Sequence, residues 1–348
     1  MTPGSRRYAI ITEGYLADRH AKTAHGVMQY GRDDVVAIID STYAGRNAID
    51  VIPQCGRSCP IVATMREALA LRPTSVLLGV ATAGGVVPPA FRPQVLEAID
   101  AGVEIVSGLH QFLAHDAEFS TRARASGSRL WDVRAVPDDI PLFSGAAYDA
   151  PQTVVLAVGS DCAIGKMTVM LELERAGRAA GARPEFVATG QTGILIAGKG
   201  IAVDRVISDF LTGAAEQLVL GVDPATDVTL VEGQGSILHP AYAPVTLGLI
   251  YGSAPDCFVL CHDAARDRIE EFDVPIPDLP TLADMHEEWV ARVKPARCVA
   301  VALNTHRLDE RAARAAVERA ERDTGLPADD VVRFGAAKLW QAVARAAA

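Results

Sequence analysis

Short apolar runs alternate with stretches of helical spacing along the whole chain. Residues 8–14 (YAIITEG) and 34–40 (DVVAIID) read as buried strands, the first ending in glycine and the second in aspartate. Residues 60–64 (PIVAT), 75–81 (SVLLGVA) and 103–108 (VEIVSG) continue the series. Between them, 23–31 (TAHGVMQYG), 65–71 (MREALAL) and 92–102 (RPQVLEAIDAG) have helical spacing, the last stopping at a glycine. Strands that are apolar throughout, alternating with helices of this length, predict a parallel sheet wound on both faces.

The rhythm breaks at 135–152, where prolines, acidic residues and small residues crowd together, and it restarts at 153–159 (TVVLAVG). Further strands are expected at PEFVATG, VTLVEG, CFVLCH and CVAVALN. A helix over 308–322 has small apolar residues on one face and charge on the other, and a last helix closes the chain near 336–345. The reading is an α/β protein in two parts. Residues 1–135 form a Rossmann-like parallel-sheet domain, 136–152 a linker, and 153–348 a second doubly wound parallel-sheet domain.

Composition agrees with two packed cores. The chain has 348 residues, 49% of them hydrophobic and 22% charged. A net charge of −10 without any Lys/Arg-rich run excludes a nucleic-acid surface as a partner. No apolar run approaches the roughly 20 residues that span a bilayer, and the N-terminus enters a strand without a leader pattern. The expectation is a cytoplasmic protein acting on a small molecule, with no membrane partner. Its apolar, alanine-rich helices point to a homo-oligomer. The six cysteines are read as reduced thiols. Cys55-x3-Cys59 and Cys257-x3-Cys261 have conceivable zinc spacing, but the second pair flanks a buried strand, so no metal is expected.

In an open parallel sheet, loops after the strands gather at one edge, where ligands bind. The most informative loop follows the strand at 153–159. It runs Gly159, Ser160, Asp161, Cys162, Ala163, Ile164, Gly165, Lys166, Met167, Thr168. Glycines let the backbone approach an anion, and backbone N–H groups and a helix start supply positive potential. Lys166 adds a full charge. The spacing departs from the usual phosphate loop. Five residues separate the glycines, and Met167 intervenes before the hydroxyl of Thr168, which weakens the case for a hydroxyl holding magnesium. The phosphates of a nucleotide or of coenzyme A suit the same cradle.

Three other loops are candidates. In ATGQTGILIAG, Gln191 and Thr192 are read as loop residues offering neutral hydrogen bonds to substrate, with Asp204 and Asp209 downstream. In LVEGQGSILHP, Glu232 follows a buried strand, where a general base or magnesium ligand would sit. Gln234 and His239 follow it. In VALNTHR, Asn304 ends a strand and could read a base edge. His262, Asp263 and Arg266, in CHDAARD, could join the site.

GSDCAIGKMT with VEGQGS and LNTHR resembles the dethiobiotin synthetase-like branch of P-loop proteins, which identifies the second half as P-loop NTPase-like. AIIDSTYAGR followed by GSDCAIGKMT and ATGQTG resembles something narrower. That is a P-loop family long catalogued as of unknown function, often mislabelled as NAD-dependent epimerases, with members described as D-glutamate N-acetyltransferases. This resemblance spans nearly the whole chain. It implies acetyl-CoA as co-substrate and D-glutamate as substrate, in D-amino-acid breakdown. A separate stretch, SVLLGVATAGGVVPPAFRPQVLEAIDAGVEIVSGLHQFL, resembles the CoA-binding domain of succinyl-CoA synthetases, making the first half a rival location for CoA.

For acetyl transfer to an amine, Glu232 is the expected general base, with His239 or Asp161 behind it. Lys166 and loop N–H groups would bind phosphate or stabilise an oxyanion. Arg46, Gln191, Thr192, Gln234 and Arg266 are candidates for binding the substrate. Cys162, near a helix N-terminus, offers a covalent acetyl relay, although an amine can attack a thioester directly. The main alternative is an ATP- and Mg-dependent ligase or kinase of a small carboxylate, with Asp161 and Glu232 around magnesium. An NAD-dependent oxidoreductase, with Asp40 as ribose acceptor, and a non-catalytic nucleotide sensor are further rivals.

Overall fold

The structure, a computed structural model, describes residues 6–347. It divides into two compact units. The first comprises Met1–Ala135 with Gln191–Ala202, and the second Val136–Gly190 with Val203–Ala348.

The first unit is built on six strands: β1 (Arg7–Ile11), β2 (Asp34–Ile39), β3 (Ile61–Val62), β4 (Ser75–Leu78), β5 (Glu104–Ser107) and β6 (Leu130–Asp132). They pair in the order β3-β2-β1-β4-β5-β6, all parallel, which is the Rossmann order. Ile10 is in register with Ile38 on one side and Leu77 on the other. One face buries Ile11, Ile39 and Leu78 with Phe91, Ile99 and Phe119 from the covering helices. Ile10, Ile38 and Leu77, which point to the other face, are buried as well, and burial on both faces is why the strands carry continuous apolar runs.

Two carboxylates in this unit are structural. Glu104, on β5, accepts from Arg6 Nε at 2.8 Å and Ser75 Oγ at 2.6 Å, and the guanidinium lies over the Trp131 ring. Asp40, at the end of β2, accepts from Thr12 Oγ1 at 3.0 Å and from the backbone N–H groups of Gly14, Leu16 and Thr42. Its oxygens close the turn after β1. They do not wait for a ribose, so the feature that favoured a dinucleotide site is accounted for by the fold.

The second unit holds β7 (Thr153–Gly159), β8 (Pro184–Val187), β9 (Val228–Val231), β10 (Cys257–Asp263), β11 (Arg297–Asn304) and β12 (Ala328–Asp329). Their order is β12-β11-β10-β7-β9-β8, again all parallel. β7 lies between β9 and β10, with Leu156 paired to Val231 and Val158 to Leu260. The strand order reverses around it, so the loops after β7, β9 and β10 meet. The Pro-rich stretch after residue 135 packs within this unit. Ser144 donates through N and Oγ to Glu216 Oε2, and Ala147 N donates to Oε1.

One local expectation is corrected. Gln191 and Thr192 are not on an open glycine loop. They begin the helix Gln191–Ala197, which groups with the first unit. There Gln191 Oε1 accepts from Arg134 Nη2 at 2.6 Å, and Thr192 Oγ1 lies 3.2 Å from Thr23 Oγ1.

Candidate active site

β7 ends at Gly159, where a side chain would stand 2.7 Å from the Cys261 carbonyl oxygen of β10. Glycine there lets the two strands stay paired up to the loop. Ser160 and Asp161 are then fully buried, Cys162 is half-buried and Ala163 is exposed at the tip. Ala163 has φ +54° and Gly165 φ +106°. For alanine that left-handed geometry costs on the order of 1–2 kcal/mol, and the rest of the loop holds it in place. The helix Lys166–Ala179 starts immediately afterwards.

The Lys166 side chain folds back under the loop and its Nζ donates to the Asp161 carbonyl at 2.7 Å. Burial pushes its pKa down, while Cys162, Cys261, Asp161 and Glu232 act in the opposite direction. Asn304 Nδ2 reaches the Ile164 carbonyl at 3.4 Å, and its Oδ1 accepts from His306 N. Asn304 therefore braces the loop. Ser160 Oγ is held at 2.9 Å from His262 Nδ1, a ring whose pKa burial pushes down.

Asp161 is the anchor of the loop. Oδ1 accepts from Cys162 N at 2.6 Å, and Oδ2 accepts from Arg266 Nη1 at 2.6 Å and Glu270 N at 2.8 Å. Arg266 also donates to the Cys162 carbonyl at 3.1 Å. Both carboxylate oxygens are occupied, one by a guanidinium. The sequence reading gave Asp161 as a reserve base or magnesium ligand, and either role would compete with these contacts.

Glu232 follows β9 directly. Its Oε2 accepts from Thr189 N at 2.9 Å and Gly190 N at 3.0 Å, and its own carbonyl accepts from Thr189 Oγ1. Burial raises the carboxyl from 4.5 to about 7, the Asp204 charge adds to the rise, and the two N–H donors and Lys166 oppose it. A carboxyl titrating near neutrality suits proton transfer. Gly233 makes this approach possible, because a side chain there would lie 1.7 Å from the Ala157 carbonyl and 3.0 Å from Lys166 Cδ. Gln234 ties the neighbouring turns together by donating from Nε2 to Thr189 O and Thr189 Oγ1.

His239 is buried, its ring tilted against Tyr242 at 4.6 Å and edge-on to Phe272 at 5.2 Å. Its Nδ1 accepts from Ala241 N at 3.2 Å, and its Nε2 lies 4.0 Å from Asp161 Oδ1. A ring nitrogen of His239, a carboxylate oxygen of Asp161 and Cys162 Sγ all lie within 4.8 Å of one another.

The second unit thus brings together Asp161, Cys162, Lys166, Glu232, Gln234, His239, Arg266 and Asn304. Met167 and Thr168 sit half-buried in the first turn of the helix. Arg46 belongs to the first unit, where its side chain is exposed and donates to Asp50 O. Sequence reasoning missed Thr189 and Gly190 as the donors that fix Glu232. A signal existed in the Thr-Gly pair directly after a buried strand.

Residues 141–340 match the P-loop domain and residues 41–136 the Rossmann-like domain of DUF1611, both described as domains of unknown function. The chain belongs to the DUF1611 family. A crystal structure of a DUF1611 family protein from Anabaena variabilis is 38% identical, with a TM-score of 0.93 over 98% of this chain and 100% of that one. A protein named D-glutamate N-acetyltransferase from Tritonibacter scottomollicae is 34% identical, covering 93% of this chain and 94% of its own length. A Pseudoalteromonas protein of the same name is 35% identical over 77% of this chain and 81% of its own length. The first half of this DUF1611 chain is therefore Rossmann-like and the second a P-loop domain, as the strand orders indicate. Among the described residues no helix is long and apolar enough to cross a membrane.

Proposed function

We propose that this DUF1611 protein is an acetyl-CoA-dependent N-acetyltransferase of a small amino acid, with D-glutamate the first candidate and D-amino-acid catabolism its setting. The two relatives that carry that name over most of their length support the reading. The structural observation that carries it is Glu232, a buried carboxyl raised to about 7 beside Lys166 and the glycine loop.

In this mechanism the loop from Gly159 to Thr168, with Lys166, holds a phosphate of CoA. The substrate ammonium passes a proton to ionised Glu232, and the free amine attacks the thioester-derived acetyl group. Thr189 and Gly190 N–H groups keep Glu232 pointed and partly ionised at neutral pH. A ligase or kinase would need carboxylates free for magnesium, and Asp161 is already committed to Arg266.

The test is product identification. Mass spectrometry of a reaction containing acetyl-CoA and D-glutamate should show N-acetylglutamate, with L-glutamate as the stereochemical control. Absence of any N-acetylated product across a panel of D- and L-amino acids would overturn the reading.

A further inference from the structure

We propose that Cys162 is the acyl acceptor in a two-step transfer, so that the acetyl group passes from acetyl-CoA to Cys162 Sγ and then to the substrate amine. This rests on the acetyltransferase reading and adds a covalent step to it.

Five of the six cysteines are buried; Cys162 is the exception, at the mouth of the loop. Its Sγ lies within 4.8 Å of a His239 ring nitrogen and an Asp161 carboxylate oxygen. A carboxylate so near a thiol ordinarily opposes thiolate formation. Here its charge is balanced by Arg266 at 2.6 Å, and Lys166 acts electrostatically on Cys162 from beneath the loop. The N-terminus of the helix Lys166–Ala179 begins four residues on. Arg266, Lys166 and the helix start thus set positive charge around the loop that carries Sγ, the surroundings in which nucleophilic cysteines are found.

His239 completes the arrangement as a donor. Its Nδ1 accepts the Ala241 N–H, so the neutral ring carries its proton on Nε2, the nitrogen that faces Asp161. With its proton on Nε2 and its Nδ1 lone pair taken by Ala241 N–H, the neutral ring is no base toward the thiol. The same tautomer argues against reading the trio as a metal site, where the second ring nitrogen of a ligating imidazole donates to an acceptor.

The steps balance. Cys162 releases its proton to solvent, and the thiolate attacks the carbonyl carbon of acetyl-CoA. The C–S bond to CoA breaks, and the CoA thiolate takes a proton from water. The substrate ammonium gives one proton to Glu232 and its amine attacks the acetyl-cysteine carbonyl. The C–Sγ bond breaks, the Cys162 thiolate is restored, the new amide nitrogen loses its second proton to water, and Glu232 releases its proton to solvent for the next cycle.

The experiment incubates the full chain with acetyl-CoA and EDTA, without amine, followed by acid quench, intact mass and peptide mapping. The expected result is one acetyl group on Cys162, discharged on adding D-glutamate, with ping-pong kinetics at steady state. Cys162→Ala should show no adduct and lose at least about 100-fold in kcat. Cys162→Ser should also fail to turn over, and iodoacetamide should label wild-type protein at Cys162 in competition with acetyl-CoA. Acetylation of D-glutamate by wild type with no adduct on Cys162, or full activity in Cys162→Ala, overturns the relay and leaves the transferase reading standing. No adduct and no acetylation of any amine overturns both.

Discussion

Arg266 Nη1 binds Asp161 Oδ2 at 2.6 Å across 105 positions of sequence, and the pair fixes the shape of the glycine loop. It takes the carboxylate that a magnesium-dependent P-loop protein would keep free and spends it on architecture. Asp161→Asn keeps the shape and removes the charge, leaving the largely buried Arg266 with Glu270 at 3.6 Å and Asp263 at 4.0 Å as carboxylate partners. The expected cost is about 1.5–3 kcal/mol, that of a hydrogen bond to a charged group, read as a lower denaturant midpoint for the second unit. A variant as stable as wild type would show that the ion pair does not hold the loop.

If Glu232 is the base of the proposed transfer, it sets the acid limb of activity. Its carboxyl is raised from 4.5 to about 7 by burial, so it is protonated, and no base, at lower pH. The account predicts kcat/KM rising with pH through about 7. Glu232→Gln should lose roughly 10²–10⁴-fold in kcat together with that limb. An unchanged limb in the variant would assign the proton transfer elsewhere.

The same shift has a sign in stability. The folded pKa lies above the unfolded one, so the folded state holds its proton more tightly between about 4.5 and 7. Stability from this group is full below that window and declines as pH rises through it, by up to about 3 kcal/mol. Denaturation at pH 5 and pH 8 should show a larger decline for wild type than for Glu232→Gln. Equal declines would contradict the raised pKa.

Gly233 is the position with least room beside the site. A methyl group there would stand 1.7 Å from the Ala157 carbonyl, which belongs to β7 and cannot swing aside. Gly233→Ala should cost more than about 3 kcal/mol, beyond ordinary overpacking, and limited proteolysis should cut near the loops after β7 and β9. A variant with wild-type stability and proteolytic pattern would show that β9 ends differently.

In the first unit, Arg6→Met should take from buried Glu104 its closest cation, leaving Ser75 and the more distant Arg129 at 3.6 Å. Loss of one partner from a buried pair costs about 3–5 kcal/mol, so the first unit's unfolding transition should move to lower denaturant. The Trp131 emission should report it, because the guanidinium lies 4.4 Å from that ring.

Most strands were legible because both sheets are covered on two faces, and their strands read as unbroken apolar runs such as those ending at Ile39 and Gly159. β6 and β12 were not, since edge strands as short as Leu130–Asp132 and Ala328–Asp329 carry no such run. The loop was legible from its glycines and Lys166, and Glu232 from its place after a buried strand. The partnership of Asp161 with Arg266 was not, because nothing local in sequence marks a contact between loops after different strands. Gln191 and Thr192 misled for a physical reason. A helix that opens directly after Thr189-Gly190 and carries a glycine itself has the composition of a turn.

The central claim is a phosphate loop turned from nucleotide hydrolysis to acyl transfer. Thiol release from acetyl-CoA, measured with D-glutamate and EDTA, with and without ATP, tests it most directly. The account predicts CoA release that requires D-glutamate and is indifferent to ATP and to chelation of metal. No release under any condition, together with magnesium-dependent ATP turnover, would contradict it and return the loop to nucleotide chemistry.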